Sequence, residues 1–441
     1  MGRNFVKAAI ATGLIMLTLG TRSATAQVLT LDQCIDMALK TNGSSQFGVP
    51  QAREGAHRAG QGVWTAWGDL LPSLSFSQNY SHSRFPTDSI LDPLTGEYVS
   101  SPSTSSRWSA GFNLDHTLFD GGANWYSVSR SYHDRAGSRE NLRGAQNGLV
   151  LGVKENYFGL LKSQELVSVQ EAAVRRAEQF HKTIESKYEL GSASLSEVLK
   201  AKVELGTAQL ELLRRQNDVR TGQAGLNTIL NRPVDDPIEV AAVTAEGPQT
   251  PTYEEALETA RTESPDLGGA RANLGSAKDG LGIARATLFP RLGWSASRSF
   301  AAQEAGDLYQ SSSGSWNTGV GISYNIFNSF HQKTAISNAR VSLKYARETE
   351  QQTEKAVELA IKQSYLGVDL ARESRNVAEQ TEASAQEDYN LAQEKYNLGA
   401  ATILDLLNAQ ESLTRAQTDR VNALYDHYIA VARLSNAMGL R

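Results

Sequence analysis

The sharpest hydrophobic rhythm in this chain has a period of two. Between Trp108 and Phe119, the residues Trp108, Ala110, Phe112, Leu114 and Leu118 fall on one side, and Ser109, Gly111, Asn113, Asp115 and Thr117 on the other. Trp316, Val320, Ile322, Tyr324 and Ile326 alternate in the same way with Asn317, Gly319, Gly321, Ser323 and Asn325. Alternation of this kind predicts β-strands with one apolar and one small, polar face. A partner strand is predicted before each, so the four strands lie at about 73–83, 107–119, 291–300 and 316–327. The Ser-, Thr-, Pro- and Gly-rich stretches 84–107 and 301–315 between them read as loops.

Everywhere else the period is helical. Short helices are predicted at Leu31–Thr41 and Tyr253–Thr262, and medium ones at Pro50–Leu71 and Pro265–Phe289. Long patterns free of proline run over about 123–188, 194–230, 330–396 and 402–438. Val198, Leu205, Leu212, Val219 and Leu226 form a seven-residue seam, and Ala409, Ala416, Ala423, Ala430 and Ala437 form another. Small residues at that spacing let helices approach closely. At 1.5 Å per residue the span 123–188 is about 99 Å long, and the helices at 50–71 and 194–230, stacked end to end, roughly match it.

These elements occur twice in the same order. Lys187-Tyr188-Glu189-Leu190-Gly191-Ser192 returns 208 residues later as Lys395-Tyr396-Asn397-Leu398-Gly399-Ala400. Gly191 and Gly399 stand where a left-handed helix C-cap is expected. Ser194 with Glu197, and Thr402 with Asp405, have capping-box spacing and open the next helix. Each stretch is therefore a tight bend between two helices. The chain divides into 27–247 and 248–441, with a proline-rich linker at 232–252.

Composition narrows the class. Arg3 and Lys7 precede the apolar run Ala8–Leu19, and Ala24-Thr25-Ala26 is a small-residue cleavage site, so residues 1–26 read as an export signal. Lys and Arg total 43 against 48 Asp and Glu, and this mildly acidic balance gives no electrostatic footprint for nucleic acid. Cys34 is the only cysteine; no disulfide within the chain is possible, and the residue is expected as a buried thiol. No later run is apolar enough for a membrane helix. No nucleophile elbow, phosphate-binding loop or zinc motif is present, so no catalytic residue, metal site or cofactor is expected. His82 and His116 read as isolated polar residues of a lumen.

The strands constrain the assembly. Four strands cannot close, and an open sheet edge cannot face lipid. The smallest membrane barrels have about eight strands, so several chains must share one barrel if these strands span a membrane. Two copies would reach eight strands and three would reach twelve. All six tryptophans, Trp64, Trp67, Trp108, Trp125, Trp294 and Trp316, lie in or beside the strands, as expected of residues at bilayer interfaces. Two other readings remain open on these residues: a periplasmic coiled-coil scaffold without transport, and a self-standing porin.

Leu29-Thr30-Leu31-Asp32, Leu71-Pro72-Ser73-Leu74, Phe289-Pro290-Arg291-Leu292, Leu118-Phe119-Asp120-Gly121-Gly122 and the paired Tyr-x-Leu-Gly bends appear in an order that resembles outer-membrane efflux proteins of the TolC type. The likeness covers nearly all of residues 27–441. It implies a homotrimer with a shared twelve-stranded barrel in outer-membrane lipid and a helical tunnel through the periplasm. It further implies docking to a periplasmic adaptor (membrane fusion) protein joined to an inner-membrane pump of RND or ABC type. By this resemblance Tyr188, Leu190, Gly191, Ser192, Tyr396, Leu398, Gly399 and Ala400 are docking positions, and Glu197 and Asp405 belong to an acidic tunnel gate. Asn408 stands at the next gate position, where an acid is expected.

Overall fold

The computed structural model describes residues 28–41, 47–84, 89–91, 94–100, 104–242, 250–310, 312 and 314–441. The expected export signal lies outside these residues. In chain order the elements are β1 (Val28–Leu29), α1 (Leu31–Lys40), α2 (Val49–Gly68), β2 (Ser73–Arg84), β3 (Ser89–Leu91), β4 (Tyr98–Ser100), β5 (Thr104–Phe119), α3 (Ala123–Glu189) and α4 (Leu195–Ile229). There follow β6 (Glu239–Val240), α5 (Tyr253–Glu263), α6 (Pro265–Ala286), β7 (Arg291–Ala302), β8 (Gly314–Ser323), α7 (His331–Asn397) and α8 (Ile403–Ala437).

The two 67-residue helices α3 and α7 set the length of the molecule, about 100 Å each. Beside the strands, α2, α3, α6 and α7 lie in one layer, each packed on the next. Further down, the layer continues as α4, α3, α8 and α7. The shorter helices α2 and α4 thus share α3 as their support, and α6 and α8 share α7.

The sheet has the order β2-β5-β7-β8, antiparallel throughout, and β2 and β8 are its two free edges. Register decides what each face carries. Leu74 pairs with Leu114, Phe76 with Phe112 and Tyr80 with Trp108, and their rings meet at 4.8 Å and 4.7 Å between centroids. The same face continues through Trp294, paired with Val320, and Leu292, paired with Ile322. The opposite face holds Ser75, Asn113, Ser297 and Asn317 in adjoining positions.

Strand β8 stops at Ser323, so Tyr324 and Ile326 lie beyond it. Its partner β7 begins at Arg291, paired with Ser323, directly after Pro290, whose ring nitrogen has no hydrogen to donate. The histidines are also not where the pattern placed them. His82 and His116 fall on the apolar face, in line with Tyr80 and Leu114, with Ser106 and Trp294 as their cross-strand partners. Arg298 shares that face, with its guanidinium over Phe300 and Trp316 at 5.0 Å and 4.9 Å. A long stem allows such a charge to reach polar surroundings at the end of a strand. The stretch read as a loop at 84–107 contains the end of β2, the small β3–β4 hairpin and the first residues of β5.

A belt of small elements wraps the middle of α3. Val28 and Leu29 pair in parallel with Glu239 and Val240, and the Tyr157 hydroxyl donates to the carbonyls of Ala241 at 2.7 Å and Leu29 at 3.2 Å. Cys34, Leu149, Val153, Leu160, Leu226 and Ile238 fill the core there. Each large side chain fully buried at such a site stabilises the fold by about 1.5–3 kcal/mol. Phe158 stacks on Tyr428 of α8 at 5.3 Å and so joins the two repeats. Two-residue strands carry no readable period, so β1 lies unannounced just ahead of the first helix and β6 within the stretch that reads as a linker.

Candidate functional site

The far ends of the long helices carry the two bends, five residues each between α3 and α4 and between α7 and α8. At the first, Gly191 has φ 76°; its N–H donates to Tyr188 and that of Ser192 donates to Lys187, both at 2.8 Å. At the second, Gly399 has φ 72°; its N–H donates to Tyr396 at 3.1 Å, and that of Ala400 to Lys395 at 2.8 Å. These paired bonds are Schellman motifs, which satisfy carbonyls that a helix end otherwise leaves open.

Both following helices begin with capping boxes. Ser194 N–H donates to Glu197 Oε2 at 2.7 Å, and Glu197 N–H donates back to Ser194 Oγ at 3.3 Å. Thr402 N–H and Oγ1 donate to Asp405 Oδ2 at 2.8 Å and 2.7 Å, and Asp405 N–H donates to Thr402 Oγ1 at 3.3 Å. The Thr402 hydroxyl, and then its N–H, hold the Asp405 carboxyl below the usual aspartate range.

This construction forces two leucines into solvent. Leu190 is 85% exposed and Leu398 is 84% exposed. Each is the residue just before the left-handed glycine, and its own helix turns away beneath it. Gly191, Ser192, Gly399 and Ala400 are exposed as well, and Tyr188 is 44% exposed.

Tyr396 differs from its counterpart. Its ring lies 5.9 Å from that of Phe180, edge to face, and the Lys187 ammonium sits 4.6 Å from its centroid. Burial, and next the charge of Glu197, push the Tyr396 hydroxyl above the ordinary tyrosine range. Tyr396 therefore ties the second tip to the helix that ends at the first, and it brings Glu197 into the same neighbourhood. Asp405 and Asn408 are exposed, whereas Glu197 is half-buried.

A second acidic level was not expected from the sequence. Glu204, two helical turns beyond Glu197 on α4, is held above the usual carboxylate range by burial and then by the charge of Glu411 on α8. The seven-residue step from Glu197 to Glu204 was readable, but its approach to α8 needed the packing. Further up, polar links lace α8 to α3. Arg420 meets Glu165 at 3.1 Å, Lys162 meets Asp426 at 3.1 Å, Arg433 meets Glu155 at 2.8 Å, and Arg176 donates to Thr414 at 3.1 Å.

The tryptophans sit at the other end. Trp67 and Trp125 meet edge to face at 6.0 Å where the helices join the sheet. Trp67 Nε1 donates to the Tyr132 hydroxyl at 3.2 Å. Trp294 Nε1 donates to Thr318 Oγ1 at 3.2 Å across two strands. Trp64 and Trp316 are 81% and 72% exposed. Among the described residues no helix is long and apolar enough to cross a membrane, and no group of His, Cys, Asp and Glu could hold a metal ion.

The sequence matches the family described as outer membrane efflux protein over residues 51–232 and 256–440, one segment for each repeat. It is 24% identical over 355 residues to the outer membrane efflux protein BepC of Brucella suis, covering 78% of this chain and 76% of that one. It is 22% identical over 428 residues to the outer membrane protein TolC of Vibrio cholerae, covering 96% and 93%. In three dimensions it is similar to the crystal structure of the outer membrane protein VceC from Vibrio cholerae, with a TM-score of 0.79 at 20% identity over 93% of this chain and 96% of that one. At that identity the likeness concerns the fold.

Proposed function

The chain belongs to the outer membrane efflux protein family, channels of the outer membrane that reach into the periplasm, and we propose that three copies of it form the exit duct of a tripartite export system. The observation that carries the assembly is the four-stranded sheet with two free edges and a lipid-compatible apolar face. Joining β8 of one copy to β2 of the next closes a barrel and removes every edge. Three copies give twelve strands, with Ser75, Asn113, Ser297 and Asn317 toward the water-filled lumen. The helices then surround a tunnel of about 100 Å.

Trp67, Trp125 and Trp294 stand at the inner interface of the bilayer, and Trp108 and Trp316 at the outer one. Leu190 and Leu398, with Tyr188, Gly191, Ser192, Gly399 and Ala400 around them, form the surface that a periplasmic adaptor grips. Tyr396 braces that surface from behind. Glu197 and Asp405 face the tunnel at its narrow end, followed by Asn408. The inner-membrane pump, of RND or ABC type, supplies the energy. This chain conducts passively without catalysis, and adaptor binding opens the tip.

The test is the native mass of protein extracted from purified outer membranes in mild detergent, followed by conductance in a planar bilayer. Three chains with a low basal conductance are expected. A water-soluble protein absent from the membrane fraction would overturn the duct. Free conductance without an adaptor would make it a porin.

A further inference from the structure

The internal repeat supplies a template for the contact between copies, and the side chains at that contact have exchanged their sizes. This inference rests on the assembly proposed above.

Two offsets superpose the repeats. Residues of α3 and α4 match those of α7 and α8 at 208, and residues of α2 match those of α6 at 218, which aligns Leu71-Pro72 with Phe289-Pro290. The geometry follows the alignment closely. Gly121 and Gly122 have positive φ, and so do their equivalents Ser329 and Phe330; Asn231 and Gly439 agree in the same way. Asn124 Nδ2 donates to the carbonyl of Asp69, and its equivalent Gln332 Nε2 donates to the carbonyl of Thr287, the equivalent of Asp69. The contact of α2 with α3 is thus repeated as that of α6 with α7.

The next contact in the layer, α3 with α6, has no packed counterpart between α7 and α2 among the described residues. Its equivalent is α7 against α2 of a second copy. Inside the chain, α6 offers glycines to α3. A Cβ on Gly282 would come within 2.5 Å of the Tyr126 ring, and one on Gly275 within 2.5 Å of the His133 ring. Large side chains on α3 fill hollows on α6. At the equivalent places α2 carries Trp64 for Gly282 and His57 for Gly275, while α7 carries Thr334 for Tyr126 and Val341 for His133. The bulk has moved from one helix to the other at both levels. In the single chain all four groups are exposed, Trp64 at 81% and Val341 at 48%.

We propose that α2 of one copy seats on α7 of the next, with Trp64 lying over Thr334 and His57 against Val341. Trp64 is then a between-copy anchor, one helical turn deeper than the lipid-facing Trp67. Buried tryptophans at the centre of a complementary contact commonly dominate its energetics. The reversal also sets the order of helices around the ring. An α2 cannot replace α6 on its own α3, because Trp64 would meet Tyr126.

The test uses the full-length protein in its native membrane, in a Cys34→Ala background. Trp64→Cys with Thr334→Cys, treated with a short bis-maleimide, is expected to link copies into a ladder ending at three chains. Tyr126→Cys with Gly282→Cys should link only within one chain and serves as the distance standard. Three-chain native mass without intermolecular linkage would overturn the seat and leave the assembly standing. A native mass other than three chains would overturn the assembly and the seat together. Exchange of sizes gives an independent readout. Trp64→Gly should lower the temperature at which the detergent-solubilised oligomer dissociates, and Thr334→Tyr alone should lower it too. Combined, the two copy the Gly282–Tyr126 pair and should restore it, a coupling that distant sites do not show. Additive losses would overturn the proposal.

Discussion

The ring of Tyr396 lies beneath the ammonium of Lys187, 4.6 Å from its centroid, so a residue of the second tip is held by the last turn of the helix that forms the first. Phe180 meets the same ring edge to face. Movement of one tip away from the other has to break both contacts. A cation over a ring near the surface contributes about 0.5–1 kcal/mol, and an edge-to-face pair about 0.5–1.5 kcal/mol.

Tyr396→Ala removes both contacts. The loss of about 1–2.5 kcal/mol corresponds to a shift of about 5- to 60-fold toward the open tip at about 1.4 kcal/mol per tenfold. Basal conductance in a planar bilayer should rise accordingly. Tyr396→Phe keeps the ring and should stay near wild type. An Ala variant as closed as the parent would mean that the brace does not hold the tip.

The exposed leucines lead to a different phenotype. Leu190→Asp and Leu398→Asp leave the bend hydrogen bonds in place, because those bonds are made by the backbone and by the side chains of Ser192, Ser194, Glu197, Thr402 and Asp405. Oligomer mass and basal conductance should be unchanged. Binding of the adaptor should weaken about thirtyfold or more for each, as expected when a contact of about 2 kcal/mol is lost. Pull-down from solubilised membranes measures this directly. Undiminished binding would move the docking surface elsewhere.

Most of the architecture was legible because its signals are long and repeated. The bends at Gly191 and Gly399 announced themselves through caps on both sides, and the strands through alternation that the register preserves. What escaped was short or relational. The strands β1 and β6 have two residues each and exist because Tyr157 and the α3 core hold them. His116 was assigned to the lumen by its polarity, yet parity with Leu114 puts it on the apolar face. Tyr396 was grouped with Tyr188 by motif, but only packing reveals that Phe180 and Lys187 occupy one of the pair. The exchange of Trp64 and Gly282 was written in the sequence and needed the α3–α6 contact to give it meaning.

Gly121 tests the turn between barrel and tunnel. Its φ is 75°, and a Cβ there would run into the backbone carbonyl of Ala286 and lie 3.0 Å from the Phe289 Cβ. Asp120 fixes the turn by accepting from the N–H groups of Gly122 at 3.0 Å and Asn124 at 2.8 Å. Gly121→Val adds a β-branched side chain to a left-handed residue, costing about 1–2 kcal/mol before the clash with backbone. The yield of oligomer in the outer membrane should fall several-fold. Ser329→Gly at the equivalent turn, with φ 53°, removes a strained Cβ and should not reduce yield. Equal yields for Gly121→Val and wild type would show that α6 can move aside.

Asp405 serves the helix start, and the tunnel reading gives it a second task. Its carboxyl is held below the usual range, first by the Thr402 hydroxyl and then by the Thr402 N–H. The ionised form is therefore favoured by folding. Its contribution is complete above about pH 4, the unfolded value, and is lost as pH falls through the lower folded value. Amide exchange in the first turn of α8 should keep constant protection between about pH 7 and pH 5 once intrinsic rates are removed, and lose it below about pH 4. Thr402→Ala should speed exchange there about fivefold at neutral pH. The gate role separates from the cap by charge alone. Asp405→Asn with Glu197→Gln retains an acceptor at each helix start and removes both charges. Exchange in the first turn of α8 should then speed no further than it does for the wild type below about pH 4, while basal conductance rises because both charges are gone. Unchanged conductance in that variant, with a rise only in Asp405→Ala with Glu197→Ala, would assign both acids to capping.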